Sequence, residues 1–213
     1  PVMDGIELCN NLKSDVNTSH IPIVLLTAKS TNESEMEGLE IGADAYIRKP
    51  FRLDILRQQI LNIHHHRELL KSKFKHESIL HPKEITVTSV DERFLQMAVD
   101  LIHEHMSDTE YNVEAMVKDM LMSRSKLYLK IKALTGYSTS EFIRTIRLKR
   151  AVQLLEKSDY TIKEIMFMTG FNTASYFSKC FKKLYGVVPS EYVREQKKDH
   201  PSQSREQDAK INH

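Results

Sequence analysis

The sequence is poor in the residues that cofactor and side-chain chemistry relies on. Only two cysteines occur in 213 residues, Cys9 and Cys180, far apart and without a CxxC partner. They suggest neither a disulfide framework nor a zinc site, and a reducing cytoplasm is the expected compartment. Six glycines leave little room for a loop that cradles phosphate. No nucleophile–base pair or metal cluster is visible either, so no enzyme, metal or cofactor is expected. No stretch approaches the roughly 18 consecutive apolar residues of a membrane helix, and no basic-then-apolar leader opens the sequence. No membrane contact by this segment is expected.

What is present is an ordinary globular composition, 40% hydrophobic, long enough for one or two domains. The net charge of +2 hides an uneven distribution. Residues 81–109 carry two Lys and Arg against six Asp and Glu, whereas 110–196 carry fifteen against nine. Within Ser123–Arg150 there are eight bases and the single acid Glu141. Positive charge concentrated in one region is the mark of a surface that meets phosphate.

That region contains a repeat. Met122–Gly136 (MSRSKLYLKIKALTG) returns fifty residues later as Asn172–Gly186 (NTASYFSKCFKKLYG). A small polar start leads into a run with apolar residues at matched places: Leu127 and Phe177, Ile131 and Phe181, Leu134 and Leu184. The helical spacing puts these on one buried face. Ser140-Glu141-Phe142-Ile143-Arg144 aligns with Ser190-Glu191-Tyr192-Val193-Arg194 at the same offset, so two similar units are expected. Ser123 is an expected N-cap, Ser138/Glu141 and Thr161/Glu164 are expected capping boxes, and Asn172 is expected to cap the second copy. A short helix through Val113, Met116, Val117 and Met120, then a turn, then Ser123, reads as helix-turn-helix. The helix linking the copies, roughly 16–18 residues and about 25 Å long, would suit successive major grooves about 34 Å apart.

The first 75 residues read differently. Ile21–Leu26 is a continuous apolar run of the buried parallel-strand kind, a helix is expected through Met36, Leu39 and Ile41, and Ala45-Tyr46-Ile47 is a short strand. Leu53, Leu56, Ile60 and Ile63 support a helix running on towards Phe74. Strand–helix alternation implies a piece of an α/β sheet. The motifs MDG, LLTAK and GADAYIRKPF, in that order, resemble the C-terminal half of a response-regulator receiver domain. The resemblance implies a switch threonine at Thr27, a rotating aromatic at Tyr46 and a phosphate-pairing lysine at Lys49, with a cis bond before Pro50. The family's acceptor aspartate and acidic metal pair precede the PxMDG loop and do not occur in this sequence. The chain is therefore expected to resist phosphorylation by acetyl phosphate or a histidine kinase, and a stoichiometric phosphoaspartate would overturn that. An incomplete receiver would also leave a sheet edge to pair or dimerise.

Between the two regions, residues 75–88 alternate weakly at Ile85 and Val87 and are expected to form a flexible or extended linker. Ser89 and Glu92 are expected to form a capping box. His64, His65 and His66 point in different directions on a helix and suit a solvated surface better than a metal. His103 and His105 are not an HExxH pair and are read as helix residues.

Over 109–195 the chain resembles the AraC/XylS-type DNA-binding domain, carried by IRLKRAVQLLEKSDYTIKEIMFMTGFNTASYFSKCFKKLYGVVPSEY. The resemblance implies groove-facing Arg124, Ser125 and Tyr128 with Lys126 and Lys132 nearer phosphate. In the second helix it implies Thr173, Ser175 and Lys179, with Asn172 and Lys182 beside them. Leu129 stands where the family often has Arg, so a bidentate guanine contact worth about 1–3 kcal/mol of discrimination is missing. Thr139 stands where Pro is usual, and Ala174 offers only a methyl.

The expected architecture is an incomplete, flavodoxin-like α/β receiver over residues 1–75, a linker and entry helix over 76–108, an all-α domain with two helix-turn-helix units over 109–196, and a disordered tail over 197–213. The expected function is sequence-specific binding of double-stranded DNA and transcription regulation downstream of a two-component phosphorelay. Homodimerisation and contact with RNA polymerase are compatible with it, as is membrane anchoring of a longer parent. The competing reading is an oligomerisation or partner module built on the incomplete receiver.

Overall fold

The structure is a computed structural model that describes residues 3–28, 41–76 and 82–199. It divides into two compact units, Pro1–Leu101 with Val113–Phe142, and Ile102–Asn112 with Ile143–His213.

In the first unit, helix α1 (Gly5–Ser14) starts on Asp4, whose carboxylate accepts the amides of Ile6 and Glu7 at 2.9 and 2.8 Å. Strands β1 (Val24–Thr27) and β2 (Ala45–Arg48) pair in parallel, Val24 opposite Ala45 and Thr27 opposite Arg48. The helix expected through Met36 and Leu39 lies outside the described residues. Asp44, just before β2, ties the segment together. It accepts from Lys13 Nζ at 2.6 Å, the Ile23 amide at 2.9 Å and Arg67 Nη2 at 2.9 Å. Burial alone pushes the Asp44 carboxyl up, but the hydrogen bonds from Lys13, Ile23 and Arg67 outweigh it and hold its pKa below the ordinary carboxylate value.

Helix α2 (Leu53–His76) continues past Ile63 as the spacing predicts. Leu56, Gln59, Ile63, Arg67, Leu70 and Phe74, half-buried or buried and three or four residues apart, make one inward stripe. Phe74, fully buried, sits with ring centroids 5.6 Å from Tyr137 and 5.7 Å from Phe142. The connector departs from expectation. Residues 82–85 form a short helix, α3 (Pro82–Ile85), with Ile85 buried, because Ile85 faces the core and does not alternate along an extended strand. Residues 77–81 lie outside the described residues. Helix α4 (Ser89–Glu104) begins one residue earlier than the expected Ser89/Glu92 box: Thr88 Oγ1 accepts the Asp91 amide at 3.1 Å. Its inner face presents Phe94, Leu95, Ala98 and Val99. Helices α5 (Val113–Asp119) and α6 (Arg124–Thr135) complete this unit with the start of α7 (Thr139–Lys157).

The second unit holds the rest of α7 with α8 (Ile162–Met168), α9 (Ala174–Tyr185) and α10 (Pro189–Asp199). Its core joins Leu148, Ala151 and Val152 of α7 to Ile165, Met166, Phe171, Phe177 and Phe181. Aromatic contacts run from Phe171 to Phe177 (5.1 Å between centroids), Phe181 (5.9 Å) and Tyr192 (5.6 Å). Tyr192 donates to Glu156 Oε1 at 2.7 Å; burial and that carboxylate push the phenol up to about 12. Gly170 turns the chain at φ +73°, and the buried Arg147 guanidinium donates to the carbonyls of Gly170, His105, Asp108 and Tyr111. Cys9 and Cys180 are both free thiols and buried.

Candidate nucleic-acid interface

The first helix-turn-helix is α5, a turn, and α6. Met116 anchors α5 in the core, Met120 just beyond the helix is also buried, and Leu121 makes the turn at φ +51° and is 92% exposed. Ser123 Oγ then accepts the Lys126 amide, capping α6 as expected, and Gly136 closes it in the left-handed conformation at φ +78°. Leu127 and Ile131 are fully buried and Leu134 nearly so. At 3.6 residues per turn the opposite face is Ser125, Leu129 and Lys132. All three are exposed, as are the expected Arg124, Lys126 and Tyr128 on the flanks. Arg124 Nη1 donates to Glu114 of α5, an ion pair whose side chains are 71% and 59% exposed. So exposed a pair contributes at most about 1 kcal/mol, and its arginine is readily diverted to a phosphate or a base. A cleft of about 580 Å³ opens beside this face, lined by Val113, Arg124, Ser125, Tyr128, Leu129 and Ser138–Ser140. The Ser138/Glu141 box is present: Ser138 N donates to Glu141 Oε2 at 3.0 Å and Glu141 N to Ser138 Oγ at 3.3 Å.

The second unit repeats the pattern. Thr161 and Glu164 form the expected capping box of α8. Phe177 and Phe181 are buried in α9, Gly186 ends it at φ +83°, and Ser175, Lys179 and Lys182 line the exposed side. Asn172 and Thr173 are exposed beside its start. The cap differs from expectation: Thr173, not Asn172, holds the N-cap position, and its side chain makes no cap bond. Thr173 is the last residue with extended backbone, at φ −133°, so Asn172 lies one residue too early. Neither α6 nor α9 has an acid in its first turn, so the positive end of each helix dipole is unopposed. Arg144 Nη1 donates to Tyr176 Oη at 3.0 Å, fixing an exposed phenol beside Ser175 that the repeat alone did not single out.

Lys130 is the residue that sequence reading missed most. It belongs to the basic run of α6, yet it is fully buried. Its ammonium donates to Val16 O at 2.6 Å, Ser19 Oγ at 2.7 Å and Asp91 Oδ1 at 2.6 Å, and lies 4.9 Å from the Phe94 ring centroid. Ser19 Oγ donates in turn to Asp91 Oδ1 at 2.7 Å. Burial pushes the Lys130 pKa down, against the opposing pull of Asp91. Within the first unit, helix α6 is thus clasped to the turn at 15–19 and to α4. No local pattern announces a lysine whose partner lies 111 residues away.

The three receiver positions lie at the ends of the parallel strands. Thr27 closes β1 half-buried, and its carbonyl accepts the Lys49 amide at 2.7 Å. Lys49 itself is exposed, and the Lys49–Pro50 bond is cis as expected. Tyr46, in β2, is half-buried, with a hydroxyl that has no hydrogen-bond partner among the described residues. The structure therefore brings Thr27 and Lys49 together at the carboxyl ends of the strands, where open α/β sheets carry their sites. His64, His65 and His66 are exposed on α2, and His105 stacks on Tyr111 at 4.4 Å between ring centroids. Among the described residues no helix is long and apolar enough to cross a membrane, and no group of three or more His, Cys, Asp or Glu is placed to hold a metal ion.

Two helix-turn-helix elements, each exposing a serine and a lysine at matched places of its second helix, follow a strand pair of α/β type. Residues 1–61 match the model of the response regulator receiver domain, and residues 116–195 match that of a helix-turn-helix domain. Residues 1–61 thus carry receiver sequence, ahead of a helix-turn-helix domain over 116–195. It is similar to a protein named Histidine kinase P4 from Formosa agariphila, 45% identical over 192 residues, which covers 90% of this chain and 14% of that protein. It is also similar to the HTH-type transcriptional regulator MtrA of Neisseria gonorrhoeae, 34% identical over 41% of this chain and 29% of that one. The chain thus spans well under two thirds of the length of these relatives. The DNA-binding domain of AdpA, solved in complex with a target DNA, is 27% identical over 51% of this chain and 96% of that chain, with a TM-score of 0.47.

Proposed function

We propose that residues 109–196 bind double-stranded DNA sequence-specifically and regulate transcription as the output end of a two-component phosphorelay. The observation that carries this reading is the repeat itself. Two helices fifty residues apart bury equivalent apolar faces and expose equivalent polar ones, Ser125 and Lys132 on α6, Ser175 and Lys182 on α9. Lys126, Lys132 and Lys182 supply phosphate contacts; Arg124, Ser125, Tyr128, Thr173, Ser175 and Lys179 face base edges, with Asn172 beside them. Thr27, Tyr46 and Lys49 are what remains in this segment of the receiver's switch. Likeness to a protein named as a histidine kinase supports placing the segment in a larger hybrid regulator. Such a regulator acts in the cytoplasm, beside the DNA and RNA polymerase.

A salt titration tests the proposal. Affinity for duplex should fall steeply between about 50 and 200 mM salt, and Lys182→Ala should reduce the slope of log K against log salt by about one. Binding that ignores salt, or a Lys179→Ala, Lys182→Ala variant that binds like the wild type, would contradict it. A second reading, self-association through the receiver segment, is favoured by its exposed apolar side chains Leu8, Leu26, Ile55 and Leu61. Light scattering on the full chain tests it: a monomer at all concentrations removes that reading.

A further inference from the structure

The two outward faces differ at one central position. On α6 the stripe opposite the core is Ser125, Leu129, Lys132; at the fifty-residue offset α9 has Ser175, Lys179, Lys182. The ends of the stripe are identical and the middle is not. Leu129 is 59% exposed and Tyr128 beside it is 43% exposed, and both line the cleft next to Val113. A side chain at the middle of such a face meets base edges in the major groove. There a leucine has neither donor nor acceptor. The one apolar group the major groove offers is the 5-methyl of thymine, whereas the lysine ammonium of Lys179 suits the O6 and N7 acceptors of guanine.

We infer that Leu129 reads a thymine 5-methyl group, so that the DNA half-site met by α6 is specified there by apolar contact while that met by α9 is specified by a purine acceptor edge. This rests on the proposed duplex binding and adds to it the base chemistry of each half. It also accounts for an exposed leucine in the basic stretch Ser123–Arg150, where the neighbouring outward residues are polar. The operator is accordingly asymmetric in what its two halves must offer, although the two reading helices are copies of one pattern.

The test uses the full 213-residue chain and a duplex selected from a randomised pool. Each thymine is replaced in turn by deoxyuridine, which removes the methyl and leaves base pairing intact. Wild type should lose about fourfold in affinity at one or two thymines, the value expected for one buried methyl group. Leu129→Ala should bind with lower affinity and lose that sensitivity at those positions, while any sensitivity due to Ala174 remains. Leu129→Arg should shift the preferred base there from thymine to guanine. Because Leu129 is mostly exposed, both variants should keep the wild-type helical circular dichroism. If wild type binds the selected duplex and no deoxyuridine substitution matters, or Leu129→Ala shows the same sensitivity, the inference is overturned while duplex binding stands. If no duplex is selected at all, the proposed function fails and this inference with it.

Discussion

Replacing Lys130 by methionine keeps most of the side-chain volume and removes an ammonium whose donors all have partners, at 2.6 Å to Val16 O, 2.7 Å to Ser19 Oγ and 2.6 Å to Asp91 Oδ1. What remains is Asp91, 2% exposed, with its charge uncompensated and Ser19 Oγ as a surviving donor. Breaking a buried pair in this way costs about 3–5 kcal/mol. The Ser19 donor places this one towards the lower end. A loss of that size is a large fraction of a domain's stability of about 5–15 kcal/mol. Urea denaturation would measure it, with hydrogen exchange to locate it: α6 and the turn at 15–19 should lose protection together, since the ammonium joins them. The double variant Lys130→Met, Asp91→Asn, which leaves no buried charge, should recover most of the loss. A Lys130→Met variant within about 0.5 kcal/mol of wild type, the spread of ordinary surface substitutions, would refute the reasoning. So would a double variant that loses the sum of the two single losses. Because this ammonium is buried, neutralising it should also leave the salt slope of DNA binding unchanged.

Two more predictions concern particular contacts. The pKa of Asp44 in the folded chain lies below its ordinary value of 3.8, so its contribution to stability is fully present above 3.8 and is lost as pH falls through the lower folded value. Asp44→Asn should therefore be less stable than wild type at pH 7 and converge with it on acidification, as read by denaturation at both ends; a gap that does not narrow contradicts the assignment. Gly170→Ala should lower the melting temperature of the second unit, since a Cβ there would sit 2.6 Å from Met106 O and 2.8 Å from Arg147 Cζ at φ +73°. The backbone strain alone is about 1–3 kcal/mol. An unchanged melting temperature would show that the turn relaxes freely.

Much of the helical architecture was legible because it is local. The apolar spacing of Leu127, Ile131, Phe177 and Phe181 foretold the buried faces, and Ser123, Ser138 with Glu141, and Thr161 with Glu164 foretold helix starts that the hydrogen bonds bear out. Where two candidate caps stand side by side, sequence does not choose between them. Thr88 displaced Ser89 and Thr173 displaced Asn172, each by one residue, because the backbone turn decides which residue is last to be extended. The polar core of the first unit was invisible for a different reason. Lys130, Asp91 and Ser19, and likewise Lys13, Asp44 and Arg67, are polar residues of the kind that usually face solvent, and they become buried partners only when segments far apart in sequence meet. The short helix Pro82–Ile85 falls where the sequence suggests a flexible or extended linker, because four residues are too few for a period to declare itself.

Whether this chain reads duplex DNA sequence through α6 and α9 is decided by selection. The full chain is incubated with a randomised duplex pool, bound molecules are amplified over several rounds, and the survivors are sequenced. The pool should converge on one sequence with two separated blocks of preferred bases, the block lost on Lys179→Ala being the one met by α9. A pool that stays random after repeated rounds, or one whose enriched sequence is unchanged by replacing Lys179 and Leu129 together, would contradict it.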